Sequence, residues 1–134
     1  MMKVILDTNF LLIPGSLGVD IFSELTRICD FKFEICVVDK TLDELDGIIA
    51  KGGKASRDAK LGFSLIKNKG VKTIKTSKEG TVDDLLVDIS KMAKIIVATQ
   101  DKELKVRLKP NVVGIISLRQ KKYLKLEIFR NLYK

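Results

Sequence analysis

The chain has 134 residues, of which 46% are hydrophobic and 31% are charged, as is typical of a globular protein. This length and composition predict one domain over residues 1–134. It has no histidine, which excludes catalysis or zinc binding by imidazole, and no apolar run approaches the ~20 residues of a membrane span. A formal charge of +8 favours a polyanionic partner, nucleic acid before an anionic membrane surface, although lysine-rich surfaces also keep proteins in solution.

The cysteines and the N-terminal segment indicate a reducing compartment. Cys29 and Cys36 are too few, and wrongly spaced, for a CxxC site, so reduced thiols are expected. Asp7 interrupts the apolar region that a signal peptide would need, so secretion is not expected. The sequence therefore predicts a cytoplasmic protein.

Segments typical of strands and of helices alternate along the chain. Short apolar, β-branched runs predict buried strands, and apolar residues at three- and four-residue spacing predict helices. The predicted strands are 4–7, 33–39, 71–76, 95–99 and 112–118. Helices are predicted over 17–28, 42–51, 82–93 and 103–109 and, after a GGK loop, within 52–68; a lysine-rich tail follows. Because parallel strands need crossover connections, the alternation predicts an α/β fold with a parallel sheet covered on both faces.

A carboxylate follows each of the first four predicted strands. In chain order these acids are Asp7, Glu44, the adjacent pair Asp83 and Asp84, and Asp101. The carboxyl ends of parallel strands lie at one edge of a sheet, where the binding crevices of such folds are found. The acids are therefore predicted to meet in space.

Each acid also has a purely structural explanation. Thr41 and Glu44 have the spacing of a helix capping box, and Thr81 and Asp84 come close to one. The other acids could cap a turn or a helix. Capping would accept Ser, Thr or Asn equally well, yet a carboxylate stands at every position. Crowded carboxylates need a cation, since like charges raise one another's pKa values, and Mg²⁺ or Mn²⁺ suits oxygen ligands.

The first acid lies within an apolar run, VILDTNFLLI, where an unpaired buried carboxylate would be strongly unfavourable. A role as metal ligand accounts for Asp7, with Thr8 and Asn9 orienting it. A Mg²⁺ ion held by acids in a positively charged protein could bind the phosphates of a nucleic-acid backbone. Lysines would then bind the neighbouring parts of that backbone. Without a histidine, water activation would depend on the metal, with one carboxylate as a candidate proton acceptor.

Four segments resemble, in order and spacing, the motifs of the PIN-domain ribonucleases. They are DTNFLL at 7–12, TLDELDGI at 41–48, VDDLLVDI at 82–89 and IVATQDKELKVRLK at 96–109. The resemblance covers essentially the whole chain. The segment LRQKKYLKLE at 118–127 favours the archaeal and eukaryotic branch related to the small-subunit ribosomal RNA processing endonuclease over the VapC toxins, which share the fold.

This resemblance implies a three-layer α/β/α sandwich around a five-stranded parallel sheet. It implies an endonuclease that uses Mg²⁺ or Mn²⁺ to cut single-stranded RNA, with pre-rRNA as a candidate substrate and a homodimer or ribosome-assembly proteins as candidate partners. The family's acidic positions are matched by Asp7, Glu44, Asp84 and Asp101. Asp83 could act as a metal ligand beside Asp84 or in its place. The family's supporting polar positions are matched by Asn9 and Thr99. Gln100 and Val82 depart from the family pattern without removing a carboxylate.

Basic residues concentrate in the segments 51–78 and 119–134, and two sets of basic residues are candidates to track an RNA backbone. One set is Lys51, Lys54, Arg57 and Lys60; the other is Lys102, Lys105 and Arg107. A solvated helix face is the alternative explanation for both. Two other functions fit the same residues: a toxin ribonuclease of the VapC type, and a non-catalytic RNA-binding scaffold with a PIN fold.

Overall fold

A six-stranded sheet forms the centre of the protein in a computed structural model that describes residues 1–77 and 79–131. The strands are β1 (Met2–Leu6), β2 (Phe33–Val38), β3 (Lys72–Ile74), β4 (Ile95–Ala98), β5 (Gly114–Arg119) and β6 (Tyr123–Ile128). Their order is β3-β2-β1-β4-β5-β6. The first five strands are parallel, and β6 pairs antiparallel with β5.

Helices cover both faces of this sheet and so make a three-layer sandwich. A 3₁₀ turn (Thr8–Leu12) is followed by α1 (Ile13–Leu17), α2 (Ile21–Ile28), α3 (Asp39–Lys51), α4 (Gly53–Asn68), α5 (Val82–Ser90) and α6 (Lys102–Leu108). The 3₁₀ turn and α1 to α4 pack with Val4 and Leu6 on one face. Helices α5 and α6 pack with Ile5 on the other face, as the alternation of side chains along a strand requires.

The expected α/β sandwich is confirmed, but the expected number of strands was wrong. All five predicted strands are present, and β6 adds a sixth where a lysine-rich tail was expected. In β6, Leu124 and Leu126 pack on the core while the alternate residues stay exposed, a period-two pattern partly hidden by charged side chains. The connecting turn holds Gln120 and Lys121 at positive φ without the glycine or asparagine that usually indicates a hairpin. Residues 132–134 of the predicted tail lie outside the described residues.

The helix predicted over 17–28 is observed only over Ile21–Ile28, and a separate short helix, α1, precedes it. Helix α1 ends at Gly18, whose φ of 69° is the left-handed conformation that glycine accepts most readily. The carboxylate of Asp20 then accepts the N–H groups of Phe22 and Ser23 and starts α2.

Two further features concern the cysteines and the lengths of the helices. Cys29 and Cys36 are free, buried thiols, and burial raises the pKa of Cys29 to about 11. Across residues 1–77 and 79–131, no helix combines the length and the apolar character needed to cross a bilayer.

The strand order places the central crevice at the carboxyl ends of β1 and β4. The chain moves outward from β1 to β2 and β3, then returns to β4 on the other side of β1. Connections that depart in opposite directions leave a crevice between two strands, and ligands bind there in open α/β sheets. Asp7 follows β1 at this point, and its N–H donates to the carbonyl of Ala98 at the end of β4 at 3.0 Å.

The turn that follows Asp7 is held in place by close packing against α4. A Cβ added to Gly62 would lie 2.5 Å from the carbonyl oxygen of Leu11, closer than non-bonded atoms approach. The glycine therefore lets α4 approach the 3₁₀ turn backbone to backbone. This contact fixes the turn that begins at the crevice.

We expect Gly62→Ala to destabilise the protein by about 1–3 kcal/mol, because the added methyl group forces the helix away from the turn. Gly47→Ala in α3 is the matched control, since a Cβ there meets nothing within 4 Å. That control should be stabilised by up to about 1 kcal/mol through helix propensity. Urea unfolding of both variants tests the expectation, and equal effects would show that the contact with Leu11 is unimportant.

Candidate active site

A cleft at the carboxyl edge of the sheet is lined by four carboxylates among the described residues. They are Asp7, Glu44, Asp83 and Asp101, and Asn9, Gly47, Ile48 and Lys51 complete the wall. The cleft has a volume of about 430 Å³. Acids that are far apart in the chain thus meet around one space, as the parallel sheet predicts.

Asp7 is held in one orientation at the base of this cleft. Its side chain is buried, and its Oδ1 accepts the N–H of Thr8 at 2.8 Å. The Thr99 hydroxyl donates to Asp7 Oδ2 at 2.8 Å, and the oxygen of the same hydroxyl accepts the N–H of Asp101 at 3.1 Å. Thr99 therefore links two of the acids directly.

Glu44 is positioned by hydroxyl groups rather than by a helix cap. Helix α3 begins at Asp39, before Thr41, so the capping box suggested by the sequence is not formed here. Instead, the Thr8 hydroxyl donates to Glu44 Oε1 at 2.6 Å and lies 3.3 Å from the hydroxyl of buried Thr41. The sequence reasoning missed this role of Thr41. Its spacing of four residues from Leu45, on the predicted apolar face of α3, was the available signal.

Asp83 and Asp84, although adjacent, project to different places. Asp84 completes a capping box with Thr81 and binds Arg107, with 2.8 Å between Asp84 Oδ1 and the guanidinium. Asp83 lines the cleft instead. The structural explanation is thus confirmed for Asp84, and the structure brings Asp83 rather than Asp84 together with the other acids.

Asp101 combines a capping contact with a place in the cleft. Its Oδ1 accepts the N–H of Leu104 at 3.1 Å and so starts α6. The preceding Gln100 donates to the carbonyl of Leu118 at 3.1 Å and accepts its N–H at 2.6 Å. The loop after β4 is therefore fastened to β5, although Gln100 departs from the family pattern.

The cleft is electrostatically unfavourable as long as its acids are all ionised. Burial, followed by the nearby charges of Asp83 and Glu44, raises the pKa of Asp7 against the opposing effect of the Thr99 hydrogen bond. Burial and then Asp101 raise the pKa of Asp83. A hard divalent cation would relieve this repulsion, and carboxylate oxygens are the donors it prefers. Within the described residues, however, no three acidic side chains already converge to ligating distance, so ligation would require side-chain adjustment.

In metal-free protein, we expect Asp7→Asn to raise the free energy of unfolding at pH 7 by about 1 kcal/mol. The substitution removes a buried negative charge that destabilises the fold and is kept for function. A carboxyl group whose folded-state pKa is raised destabilises the fold above that pKa and has no such effect below the unfolded value of about 3.9. The difference from wild type should therefore disappear as the pH falls below about 4. Thermal unfolding at a series of pH values in chelator tests this, and a variant less stable at pH 7 would contradict it.

The predicted basic residues occupy several surfaces. Lys51 lines the acidic cleft, whereas Lys54 pairs with Asp58 at 3.3 Å. Arg57 is exposed, and Lys60 lines a separate hollow on α4. Lys102 and Lys105 line another hollow beside α6, and Arg107 is paired with Asp84 as described above.

The fold and the cleft together define an α/β domain with an acidic site at the carboxyl edge of its sheet. Residues 4–121 match the family described as PIN like domain, and the chain therefore belongs to that family. Ribonuclease VapC4 of Methanocaldococcus jannaschii is 31% identical over 130 residues, which are 96% of this chain and 98% of that protein.

Two solved structures have a similar fold. The PIN domain endonuclease Utp24 matches with a TM-score of 0.73 and 25% identity, over 94% of this chain and 91% of that chain. A domain of a functionally unknown protein from Methanocaldococcus jannaschii matches with a TM-score of 0.57 and 17% identity, over 89% of this chain and 92% of that one. The latter shows the fold alone.

Proposed function

We propose that this protein is a divalent-metal-dependent endoribonuclease that cleaves single-stranded RNA in the cytoplasm. The observation that carries the proposal is the convergence of Asp7, Glu44, Asp83 and Asp101 on one cleft in a strongly basic protein. Relatives whose names say ribonuclease and PIN domain endonuclease support it.

The carboxylates of the cleft would hold Mg²⁺ or Mn²⁺, which supplies charge stabilisation at the scissile phosphate and a more acidic water. Asp7 and Asp101 are the proposed principal ligands, and Asp83 takes the place first expected for Asp84. Thr8 and Thr99 keep the carboxylate of Asp7 fixed through the hydrogen bonds described above.

The remaining cleft residues have proposed roles in handling the substrate and a proton. Glu44 is the carboxylate available to accept a proton from the attacking water, since no histidine is present to do so. Asn9, exposed at the rim, and Lys51, in the wall, can bind the phosphate backbone that enters the cleft. Lys54, Arg57 and Lys60 would extend that contact along α4.

Two biological roles are compatible with this activity. The similarity to Utp24 supports the processing branch, with pre-rRNA as a candidate substrate, and the match with a VapC ribonuclease supports a toxin role. The match with the VapC ribonuclease spans 96% of the chain and so includes the segment 118–127, on which the expectation of the processing branch rests. Growth arrest on induced expression, together with an adjacent antitoxin gene, would favour the toxin role.

A cleavage assay with purified protein tests the proposed activity. We expect cuts within a labelled single-stranded RNA in Mg²⁺ or Mn²⁺, none in chelator, and recovery when the metal is restored. A duplex of the same sequence should be resistant. Binding without cleavage in every divalent metal would favour the non-catalytic scaffold, and cleavage that persists in chelator would contradict metal dependence.

A further inference from the structure

A second hollow, which we call the basic groove, lies between α6 and the outer strands of the sheet. It is lined by Lys102, Lys105, Val106, Lys109, Ile115, Ser117, Arg119, Lys125, Glu127 and Phe129, and has a volume of about 200 Å³. None of these residues lines the acidic cleft. The basic groove is therefore a separate feature of the surface.

The fold explains why this groove is open. On this face of the sheet the described helices are α5 and α6, and they leave the far side of β6 exposed at Lys125 and Glu127, while Ile115 and Ser117 of β5 are buried. The cross-strand pairs Ser117–Lys125 and Ile115–Glu127 share that side and form the floor. The wall is α6 and the residue that caps it, where Lys102, Lys105 and Lys109 recur once per turn over about 10 Å.

The charge of the groove is poorly balanced. Five cations, Lys102, Lys105, Lys109, Arg119 and Lys125, surround a single acid, Glu127. Among the described residues, none of the five makes an ion pair within 4.0 Å. Burial, with Arg119 as the next cause, lowers the pKa of Lys105, so desolvation first and the neighbouring cation second disfavour its charged form. A polyanion would relieve this repulsion.

The groove begins beside the acidic cleft. Asp101 lines the cleft, and the next residue, Lys102, lines the groove. Arg119 is the last residue of β5, at the same edge of the sheet as Asp7. The far end is formed by Lys109, whose ammonium lies 5.6 Å from the centre of the Phe129 ring. A chain of phosphates leaving the cleft past Asp101 would therefore enter the groove.

We propose that the basic groove binds the phosphodiester backbone of the RNA strand adjacent to the cleavage point, through Lys102, Lys105, Arg119 and Lys125. This inference rests on the proposed function, because it names the surface that holds the substrate of the same site. The basic groove includes Lys102 and Lys105 of the second basic set predicted from the sequence, adds Arg119 and Lys125, and lies apart from the α4 surface proposed above. Phosphate contacts carry no sequence information, so the groove positions RNA without selecting bases.

The test is RNA binding in chelator, where no cleavage is expected. Lys105→Gln combined with Arg119→Gln should weaken binding of a short single-stranded RNA by about tenfold or more. The salt dependence of log K should become shallower by about 0.7 for each phosphate that the variant no longer neutralises. Lys102→Gln combined with Lys125→Gln provides a second, independent pair should the first fail to fold.

The matched control is Lys32→Gln combined with Lys94→Gln, which removes the same two charges. Both lysines are exposed and precede β2 and β4, so they lie at the opposite edge of the sheet. The control should leave affinity and salt slope unchanged. If the control and groove variants lose affinity equally, the effect is one of general charge and the proposal is overturned. Full affinity in both groove variants would also overturn it.

A scan of single uncharged methylphosphonate linkages along the RNA locates the contact. At one or two linkages, the methylphosphonate should weaken RNA binding by the wild-type protein but should not weaken binding by the groove variant any further. If no linkage behaves in this way, the proposal is overturned. Inorganic phosphate at the same phosphate concentration should not displace the RNA, and displacement would assign the groove to free phosphate instead. A protein that never cuts RNA would contradict the proposed function without affecting these binding results.

Discussion

Asp7→Asn is expected to reduce RNA cleavage by roughly 10²–10⁴-fold while leaving RNA affinity in chelator nearly unchanged. The amide has the same shape and can keep both neighbours: its oxygen accepts the N–H of Thr8, and its NH₂ donates to the oxygen of Thr99. The substitution therefore removes the charge that would hold a divalent ion and little else. The backbone-binding lysines are untouched, so the substrate should still bind.

Asp101→Asn should have a similar effect, because Asp101 shares the cleft and is linked to Asp7 through Thr99. Asp88→Asn serves as the control, since Asp88 is exposed on α5 and forms only a loose pair with Lys91 at 3.9 Å. Single-turnover cleavage in Mn²⁺ separates the chemical step from binding. Unchanged cleavage in both Asp7→Asn and Asp101→Asn would show that the carboxylates were assigned wrongly.

Asp83→Ala and Asp84→Ala should separate catalysis from stability. We expect Asp83→Ala to reduce the cleavage rate by roughly 10²–10⁴-fold with little change in stability, because its side chain faces the cleft. Asp84→Ala should keep most of the activity and lower the urea midpoint, because it breaks the capping box with Thr81 and frees Arg107. Cleavage rates and urea midpoints of the two variants give the comparison.

The reverse outcome, with Asp84→Ala inactive and Asp83→Ala active, would mean that the helix turns its other acid toward the metal. Restoring the charge in Asp83→Glu distinguishes a ligand from a residue that only shapes the cleft. A ligand should recover part of the activity, most clearly in Mn²⁺.

The acidic cleft could be predicted from the sequence because it depends on topology alone. Once parallel strands are inferred, residues that follow different strands must share an edge, and Asp7 and Asp101 follow directly. The choice between Asp83 and Asp84 could not be made in this way. Adjacent helical residues point about 100° apart, so only the packing of α5 decides which acid enters the cleft. The same limit concealed the contact between Thr8 and Glu44, which depends on α3 beginning at Asp39.

The sixth strand shows why part of the fold was missed and what depended on it. Strand β6 has an alternating pattern, but its turn lacks glycine, and Tyr123, Lys125 and Glu127 occupy its exposed side. Without β6, Lys125 belongs to a solvated tail and the basic groove has no floor. Only the antiparallel pairing with β5 brings Lys125 beside Ser117 and thus opposite α6.

Crystals of the protein soaked in Mn²⁺, measured at a wavelength where manganese scatters anomalously, would show whether the acidic cleft binds metal. We expect an anomalous peak in the cleft, with oxygen ligands from Asp7 and Asp101 and a further carboxylate from Asp83 or Glu44, and no peak in crystals of Asp7→Asn. A peak elsewhere, or a cleft that stays without manganese while the protein still cleaves RNA, would contradict the assignment of these carboxylates as the metal site.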